Sequence, residues 1–574
     1  MTMSVLHTVD QVFDAAPLLA LFVTIALGYF VGKFTIGRFV LGGIAGTLLV
    51  GVLIGQLGIE LDSGIKSIFF ALFIYAVGYQ GGPQFFHALN LRSLNQLISA
   101  FVMCLVGLLI VLVSAWVFDL DRGTAAGLAA GGLTQSAIIG TAGDAIAKLG
   151  VSPEQIKVMQ TNVAVGYAVC YIFGSLGPII MVTWFFPTVM KWDIRKEAVA
   201  LAKKMADGRA ELEPGQFNAI RPVVTRVYIV APESNAVGKQ IIDIDRELSD
   251  AAVEAIIRDG KAIEIAEDTV IATGDEVAIT GETTVMRSAA EYFGQEVVAP
   301  KDFQLIEEHR EVILTNKKLV GIKLKELHDQ LGVETRRGVY LVAIKRMGKD
   351  LPVLHGLELH KGDELLFTGT PKDLNRVQAL IGYKITAAAI TDFIFFGIGM
   401  TLGILVGMIE FKLAGIPVTI GTGGGCLLAG LLMGWLRSTH PRFAALPTGA
   451  SNYLRDFGLA VFVAVVGISA GPQALKTMQE YGLTLFFLGV GVTIIPQIIT
   501  FYFSYYVLRI RNPIEALACV VGGRSANPGF AALLDKAGNA TPVVAFTVTY
   551  AVANVFLTLW GPLIVGIITK NPSP

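Results

Sequence analysis

Charge is scarce in this chain, and what there is lies in one place. Asp, Glu, Lys and Arg make up 16% of the 574 residues, against 53% hydrophobic residues, too apolar for a soluble protein of this length. About 60 of the 91 charged residues fall between Lys191 and Lys384, leaving two flanking stretches strongly apolar. The net charge of −1 argues against a nucleic-acid partner. Cysteine is equally sparse: Cys104, Cys170, Cys426 and Cys519 sit singly in apolar runs, giving neither a metal spacing nor a disulfide framework. The seven histidines are scattered, so no metal and no other cofactor is expected. No metal-ligand cluster, Gly-x-Ser-x-Gly or P-loop lies where an enzyme would place it. No cationic region or small-residue cleavage pattern precedes the first apolar run. That run is therefore expected to be a retained transmembrane helix rather than a signal peptide.

Long apolar runs are what the chain does have. They cover about 16–32, 39–57, 65–81, 94–118, 124–149 and 158–187, and then 391–409, 416–436, 457–471, 482–508, 514–534 and 543–568. A span needs about 20 residues at a 1.5 Å rise each. Two runs differ from the rest. Gly127, Gly131, Gly132, Gly140 and Gly143 interrupt 124–149, with Thr134-Gln135-Ser136 in its middle. Gly522-Gly523-Arg524-Ser525-Ala526-Asn527-Pro528-Gly529 interrupts 514–534. Such sequence cannot sustain a regular helix, and freed backbone at membrane depth is tolerated only where protein buries it or a watery cavity receives it. Both runs are expected to be re-entrant hairpins or broken helices.

The second set of runs repeats the first. Val77-Gly78-Tyr79-Gln80-Gly81-Gly82-Pro83-Gln84 matches Val466-Gly467-Ile468-Ser469-Ala470-Gly471-Pro472-Gln473 at an offset of 389, and Ser136-Ala137 falls on Ser525-Ala526 at the same offset. Gly46, Gly51 and Gly55 fall on Gly425, Gly430 and Gly434. Cations gather at Lys33 and Arg38, at Arg92, at Lys191, Arg195 and Lys196, at Arg437, Arg442 and Arg455, and at Arg509 and Arg511, and the alternate loops are poorer in them. Counting positive loops as inside gives five crossings plus one hairpin per half, the N-terminus outside and the charged insert cytoplasmic. An odd number of crossings inverts the second repeat. Twelve full crossings with parallel repeats is the alternative.

The insert is itself duplicated. Val237-Gly238-Lys239 precedes Gly274-Asp275-Glu276, and Val320-Gly321-Ile322 precedes Gly362-Asp363-Glu364. Short β-branched runs such as Arg226–Val230 and Val339–Ile344 alternate with amphipathic helical stretches. Two small α+β modules are expected, with Gly-Asp-Glu serving as the turn that starts a strand. The boundaries are 1–190 and 387–574 for the membrane repeats, 191–213 for a linker, and 214–299 and 300–386 for the modules. The fold class is a polytopic α-helical membrane protein of two inverted repeats with two cytoplasmic modules between them.

With these motifs the whole chain resembles the aspartate:alanine exchanger family of bacterial secondary transporters. The Gly-Pro-Gln pair and the two polar hairpins carry the resemblance in the membrane. The insert resembles the C-terminal subdomain of RCK (TrkA-C-like) regulators. There it is carried by Leu319-Val320-Gly321, Arg337–Arg346 and Gly362-Asp363-Glu364-Leu365-Leu366, and Val253–Arg258 matches only loosely. The resemblance implies a non-enzymatic antiporter of the bacterial inner membrane. It would exchange a small dicarboxylate or acidic amino acid, of the aspartate or succinate type, for a related acid or amino acid such as alanine. It also implies module pairing in a homodimer, and leaves room for a small regulatory ligand on the modules. The competing class is an ion channel or cation transporter regulated by RCK-like modules. Against it, no Thr-Val-Gly-Tyr-Gly filter is present, and an arginine in the pore element would repel cations.

Arg524 is the leading substrate-binding candidate. Its planar fork matches a carboxylate, and it keeps its charge when partly desolvated; an arginine at bilayer depth is costly enough to point to function. Ser525 and Asn527, with Thr134, Gln135 and Ser136 in the other hairpin, can complete the hydrogen bonding. Gln80, Pro83, Gln84, Pro472, Gln473 and Pro528 are candidates for lining the path or hinging it. Structural alternatives stand beside each: Arg524 snorkelling or pairing with Asp535, the hydroxyl and amide side chains joining helices, and Asp144 with Lys148 as a solvated ion pair at the hairpin's outer end.

Overall fold

Each apolar run forms helix until glycine, proline or a capping side chain stops it. The structure, a computed structural model, describes residues 12–13, 16–36, 39–40, 42–88, 93–205, 223–248, 251–263, 265–266, 268–283, 285–299, 305–346, 349–384, 390–413, 416–440 and 443–571. The module boundaries expected at 213/214, 299/300 and 386/387 fall in or against stretches outside these. The described chain divides into two compact units, 1–198 with 389–574, and 199–388.

The first half of the helical unit holds α1 (Pro17–Gly32), α2 (Gly43–Gly55), α3 (Ser63–Ala88), α4 (Leu94–Val117), α5 (Arg122–Gly132), α6 (Ala137–Ala147) and α7 (Pro153–Ile180). Strands β1 (Thr35–Ile36) and β2 (Phe39–Val40) make a small hairpin between α1 and α2. Asp121 caps α5 by accepting from the Gly123 and Thr124 amides, and Ser152 caps α7, which opens on Pro153. These side chains satisfy amides that a helix start leaves without partners. Helix α8 (Ile194–Met205) occupies much of the expected linker.

In the insert, β3 (Val223–Ile229), α9 (Ile241–Glu247), β4 (Ala251–Arg258), β5 (Lys261–Ile263), β6 (Glu276–Glu282), α10 (Met286–Phe293) and β7 (Glu296–Val297) form the first module. The second holds β8 (Glu308–Leu314), α11 (Leu324–Gln330), α12 (Val333–Arg336), β9 (Val339–Arg346), β10 (Lys349–Leu351), β11 (Glu364–Gly369), α13 (Pro371–Ile381) and β12 (Gly382–Lys384). The antiparallel sheets run β5-β4-β6-β3-β7 and β10-β9-β11-β8-β12, the same order twice. The duplication extends to atoms. Arg258 pairs with Asp275 and Arg346 with Asp363, each at 2.7 Å, and Gly274 and Gly362 take φ of 84° and 87°. Gly-Asp-Glu is thus the expected turn, and its aspartate also clamps an arginine at the end of β4 or β9. The loose sequence match at Val253–Arg258 therefore falls on the second module's Val339–Arg346 residue for residue at its end.

Both β4 and β9 carry a bulge, at Glu254 and Val342. A bulge re-aims a side chain, and Glu254 approaches the second module, where its carboxyl meets Asp373 beside the Cα of Gly338. Asp245 and Arg337 pair close by, and Arg376 holds Asp373 at 2.8 Å. Burial, with Asp373 next to it, pushes the Glu254 carboxyl up to about 9. Burial also pushes Asp245 up to about 6, against the pull of Arg337. The folded insert therefore keeps a proton on Glu254 that the free chain, with a value of 4.5, gives up. Between those two values the unfolded state binds fewer protons, so stability falls as pH rises. Thermal unfolding of the modules from about pH 5 to about pH 9 should show that fall, with Glu254→Gln flattening most of it.

The second half returns to helices: α14 (Phe393–Gly407), the hairpin β13 (Glu410–Leu413) and β14 (Ile416–Thr419), α15 (Gly421–Thr439), α16 (Thr448–Tyr502), α17 (Pro513–Gly523), α18 (Asn527–Ala537) and α19 (Pro542–Ile567). The order follows that of the first half, strand hairpins included, except that α16 stands where the first half has α3 and α4. One difference corrects the sequence reading. Two separate helices were expected at 457–471 and 482–508, but α16 runs on for 55 residues through Pro472 and Pro496. It contains two apolar stretches long enough to span, Thr448–Ala474 and Lys476–Val507. Pro472 removes one hydrogen bond, and the good helix formers from Ala474 to Glu480 carry the helix on. Pro83 likewise lies inside α3, so neither proline ends its helix.

Packing between the halves is reciprocal. Helix α2 lies along α16, and α15 along α3. Gly467 meets the Cα of Gly51 where Gly78 meets that of Gly430. These are equivalent pairs, and a side chain at either would push two backbones apart.

Candidate functional site

The two interrupted runs are two broken helices of the same build. Arms α5 and α6 flank Leu133–Ser136, arms α17 and α18 flank Arg524–Ala526, and all four arms are 11 residues long. Asn512 caps α17 through the Ile514 and Glu515 amides, as Asp121 caps α5. At the first break Thr134 takes φ 56° and at the second Ser525 takes φ 53°, a left-handed conformation costly for a side chain other than glycine. The amides there bond back alike, Thr134 to Gly131 and Gln135 to Ala130, Ser525 to Gly522 and Ala526 to Val521. The structure thus pairs Ser525 with Thr134, at an offset of 391, where the sequence match had placed it on Ser136. The first break is one residue longer, which brings the offset to 390 along the second arms, and the loop after it is one residue longer again, so the register of 389 returns only at Pro153 and Pro542. Each first arm packs on the long helix of its own half, α5 on α7 and α17 on α19. Each second arm crosses over, α6 to α19 and α18 to α7.

Arg524 sits where these elements meet and is fully buried. Its Nη1 donates to the Thr493 carbonyl at 2.9 Å, and its Nη2 to those of Gly132 at 2.5 Å and Gly174 at 3.3 Å. It neither snorkels nor pairs with Asp535. The guanidinium caps the C-terminal end of the opposite break's first arm, where carbonyls lack partners. Thr493 Oγ1 donates to the same Gly132 carbonyl. Only the Nε of Arg524 lacks a partner.

The other expected residues divide into two groups. Gln135 Nε2 donates to Asn554 Oδ1 at 3.2 Å, and Asn527 Nδ2 to the Tyr550 hydroxyl at 3.4 Å. Residues 550 and 554 are one turn apart on α19, so both breaks address one helix face. The Thr134 methyl packs against Gly174, beside the arginine. Ser525 Oγ is buried without a partner, and Ser136 shares a hydrogen bond with Tyr167. Pro528 lies in the first turn of α18. The glutamines are apart from this group. Gln80 bonds Ser451, Asn452 and Arg455 at the start of α16. Gln84 and Gln473, equivalent in the repeat, each keep an unpartnered Oε1.

A cavity of about 330 Å³ opens between α3, α6, α7 and α16, and sequence reading missed it. Lys66, Asp144, Lys157 and Gln160 give it charge and polarity over an apolar floor of Phe70, Ile139, Phe462 and Val466. Asp144 reaches α15, accepting from the Gly423 amide at 3.3 Å in that helix's first turn, where a carboxylate is favoured. The signal available in sequence was Asp144 inside one otherwise apolar run, with Lys66 at the very start of another.

Comparison with known proteins decides the family. The pattern described as a predicted permease membrane region matches residues 20–187 and 395–566, and the TrkA-C domain matches 226–294 and 309–382. The chain belongs to the aspartate:alanine exchanger family of permeases. Similar proteins match over nearly the whole length. One from Francisella tularensis, named an uncharacterized transporter, is 54% identical over 97% of this chain and 98% of its own. Others so named are 44% identical in Zymomonas mobilis, over 98% of this chain and 100% of theirs, and 35% identical in Bradyrhizobium diazoefficiens, over 98% and 99%. The protein is a multi-pass membrane transporter with two TrkA-C domains between its membrane halves.

Proposed function

We propose that the protein is an antiporter that exchanges a small dicarboxylate or acidic amino acid for a related acid or amino acid such as alanine, by alternating access. The observation that carries the reading is Arg524, buried at the junction of two matched broken helices and holding main-chain carbonyls of both halves. In this state the carbonyls of Gly132, Gly174 and Thr493 occupy the fork. A substrate carboxylate competes for it in another state, so binding loosens the tie between the breaks and lets one bundle move against the other. The uncharged first break, through Thr134, Gln135 and Ser136, meets the rest of the substrate, with Ser525 and Asn527 beside it. Gln80, Gln84 and Gln473 line the path, and Pro83, Pro472 and Pro528 serve as hinges. The repeats are inverted, with the N-terminus outside, the TrkA-C domains in the bacterial cytoplasm and the protomers paired. The similar helix order and the reciprocal helix contacts support the duplication, and the alternation of cation-rich and cation-poor loops supports the sidedness.

Exchange of an acid of net charge −1 for a neutral zwitterion moves one charge per cycle, worth about 2.3 kcal/mol at 100 mV. The test is counterflow in proteoliposomes, with labelled aspartate or succinate outside. Uptake should appear only when an unlabelled acid is inside. Potassium uptake indifferent to every acid would overturn the reading in favour of a regulated cation pathway.

A further inference from the structure

The cavity between α3, α6, α7 and α16 lies along the face of α6 that begins one turn beyond the first break, at Ile139 and Gly140, and continues through Gly143 and Asp144 to Ala147. Its charged groups come from three helices. Lys66 of α3 donates from Nζ to Gln160 Oε1 at 3.3 Å, and Gln160, on α7, donates in turn to the Gly143 carbonyl at 3.1 Å. Lys157 lines the same cavity one turn before Gln160. Asp144 is fixed through one oxygen by the Gly423 amide. Ser63, Ser67 and Ser469 add hydroxyls. About 330 Å³ is at the small end of ligand pockets.

We propose that this cavity binds the substrate on its way to the break, and that Asp144 is the residue selecting an acid with an amino group over a plain dicarboxylate. The proposal rests on the exchanger reading and deepens it. The cavity sets two ammonium groups and one carboxylate around an apolar floor. An α-amino dicarboxylic acid has the complementary set, two carboxylates and one ammonium, so each charge in the site meets its opposite. A dicarboxylate without the amino group satisfies both lysines and leaves Asp144 facing a like charge, which disfavours it. A neutral α-amino acid engages Asp144 and one lysine. Asp144 also stands on the broken helix itself, so an occupant held by Lys66 and Lys157 on α3 and α7 is tied to that helix.

The test is isothermal titration of the solubilised full chain with L-aspartate and with succinate, independent of transport. Wild type should bind L-aspartate more tightly. Asp144→Asn should weaken L-aspartate at least about tenfold and leave succinate unchanged or tighter, and Asp144→Glu should restore most of the preference. Lys66→Gln should weaken both ligands. Where Asp144→Asn fails to fold, Asp144→Glu and Lys157→Gln carry the test through their aspartate-to-succinate ratios. The proposal is overturned if Asp144→Asn moves both ligands equally or neither, or if wild type binds neither. Binding with this pattern but no counterflow would instead remove the exchanger reading and keep the site.

Discussion

Arg524→Ala is expected to abolish counterflow and to lower the thermal stability of the helical unit by several degrees or more. The side chain is fully buried, and its truncation strips donors from the Gly132, Gly174 and Thr493 carbonyls. Hydrogen bonds to charged groups contribute roughly 1.5–3 kcal/mol each, and a buried acceptor left alone costs about 1–3 kcal/mol. Thr493 still covers Gly132 and Gln497 Nε2 still donates to the Thr493 carbonyl, so the loss is smaller than a threefold sum, and about 3 kcal/mol is a fair figure. Arg524→Lys is the sharper variant. It keeps the charge, but a single ammonium cannot reproduce a planar fork reaching carbonyls on α5, α7 and α16. In that variant KM for the acid should rise about 10- to 100-fold, the effect of losing one bidentate charged contact. A lowered melting temperature with unchanged KM would assign Arg524 to bracing the breaks and nothing more.

What the sequence revealed about this site follows from which of its interactions are local. Glycine, proline and a polar triplet within an apolar run announce a break directly, because helix failure is a property of neighbouring residues. The repeat was visible because glycines recur wherever two backbones touch, as at Gly51 with Gly467 and Gly430 with Gly78. The partners of Arg524 were not visible. They are main-chain carbonyls 31, 350 and 392 positions away, and a carbonyl leaves no mark on residue identity. The match of Ser136 with Ser525 was misplaced for a related reason. Identity rewarded the shared serine, while backbone geometry aligns the left-handed residues Thr134 and Ser525.

The cavity was hidden by the same logic. Lys66 reads as a loop charge and Asp144 as half of an ion pair with Lys148 until α3, α6 and α7 are brought together. The 55-residue helix α16 was missed because Gly471-Pro472 is a strong stop signal in isolation. Only the helix-forming stretch after it and the packing along α2 and α7 override that signal. In the insert, the Gly-Asp-Glu turns were legible as turns. That their aspartates reach back 17 positions to an arginine needed the sheet.

That pair of clamps supports a prediction with a built-in control. Asp363→Ala is expected to destabilise the second TrkA-C domain by about 3–5 kcal/mol, the usual cost of leaving one member of a buried ion pair alone. Arg346 and Asp363 side chains are both 0% exposed. The carboxylate also accepts the His360 amide at 2.8 Å, and Arg346 donates to the Glu358 carbonyl at 2.9 Å. Asp275→Ala removes the same set of bonds in the first domain. There the aspartate accepts the Ala272 amide at 2.8 Å, and Arg258 donates to the Val270 carbonyl at 2.9 Å. The difference is that the Arg258 side chain is 37% exposed, so the orphaned guanidinium turns to water and the expected cost is about 1–3 kcal/mol. Denaturant unfolding of the two variants measures the gap. Replacing both members of the buried pair, Arg346→Met with Asp363→Leu, should recover much of the loss, since no charge then remains to be solvated. Equal costs for Asp363→Ala and Asp275→Ala would mean that solvation of the arginine does not set the penalty, and that the lost turn hydrogen bond at Ala272 or His360 does.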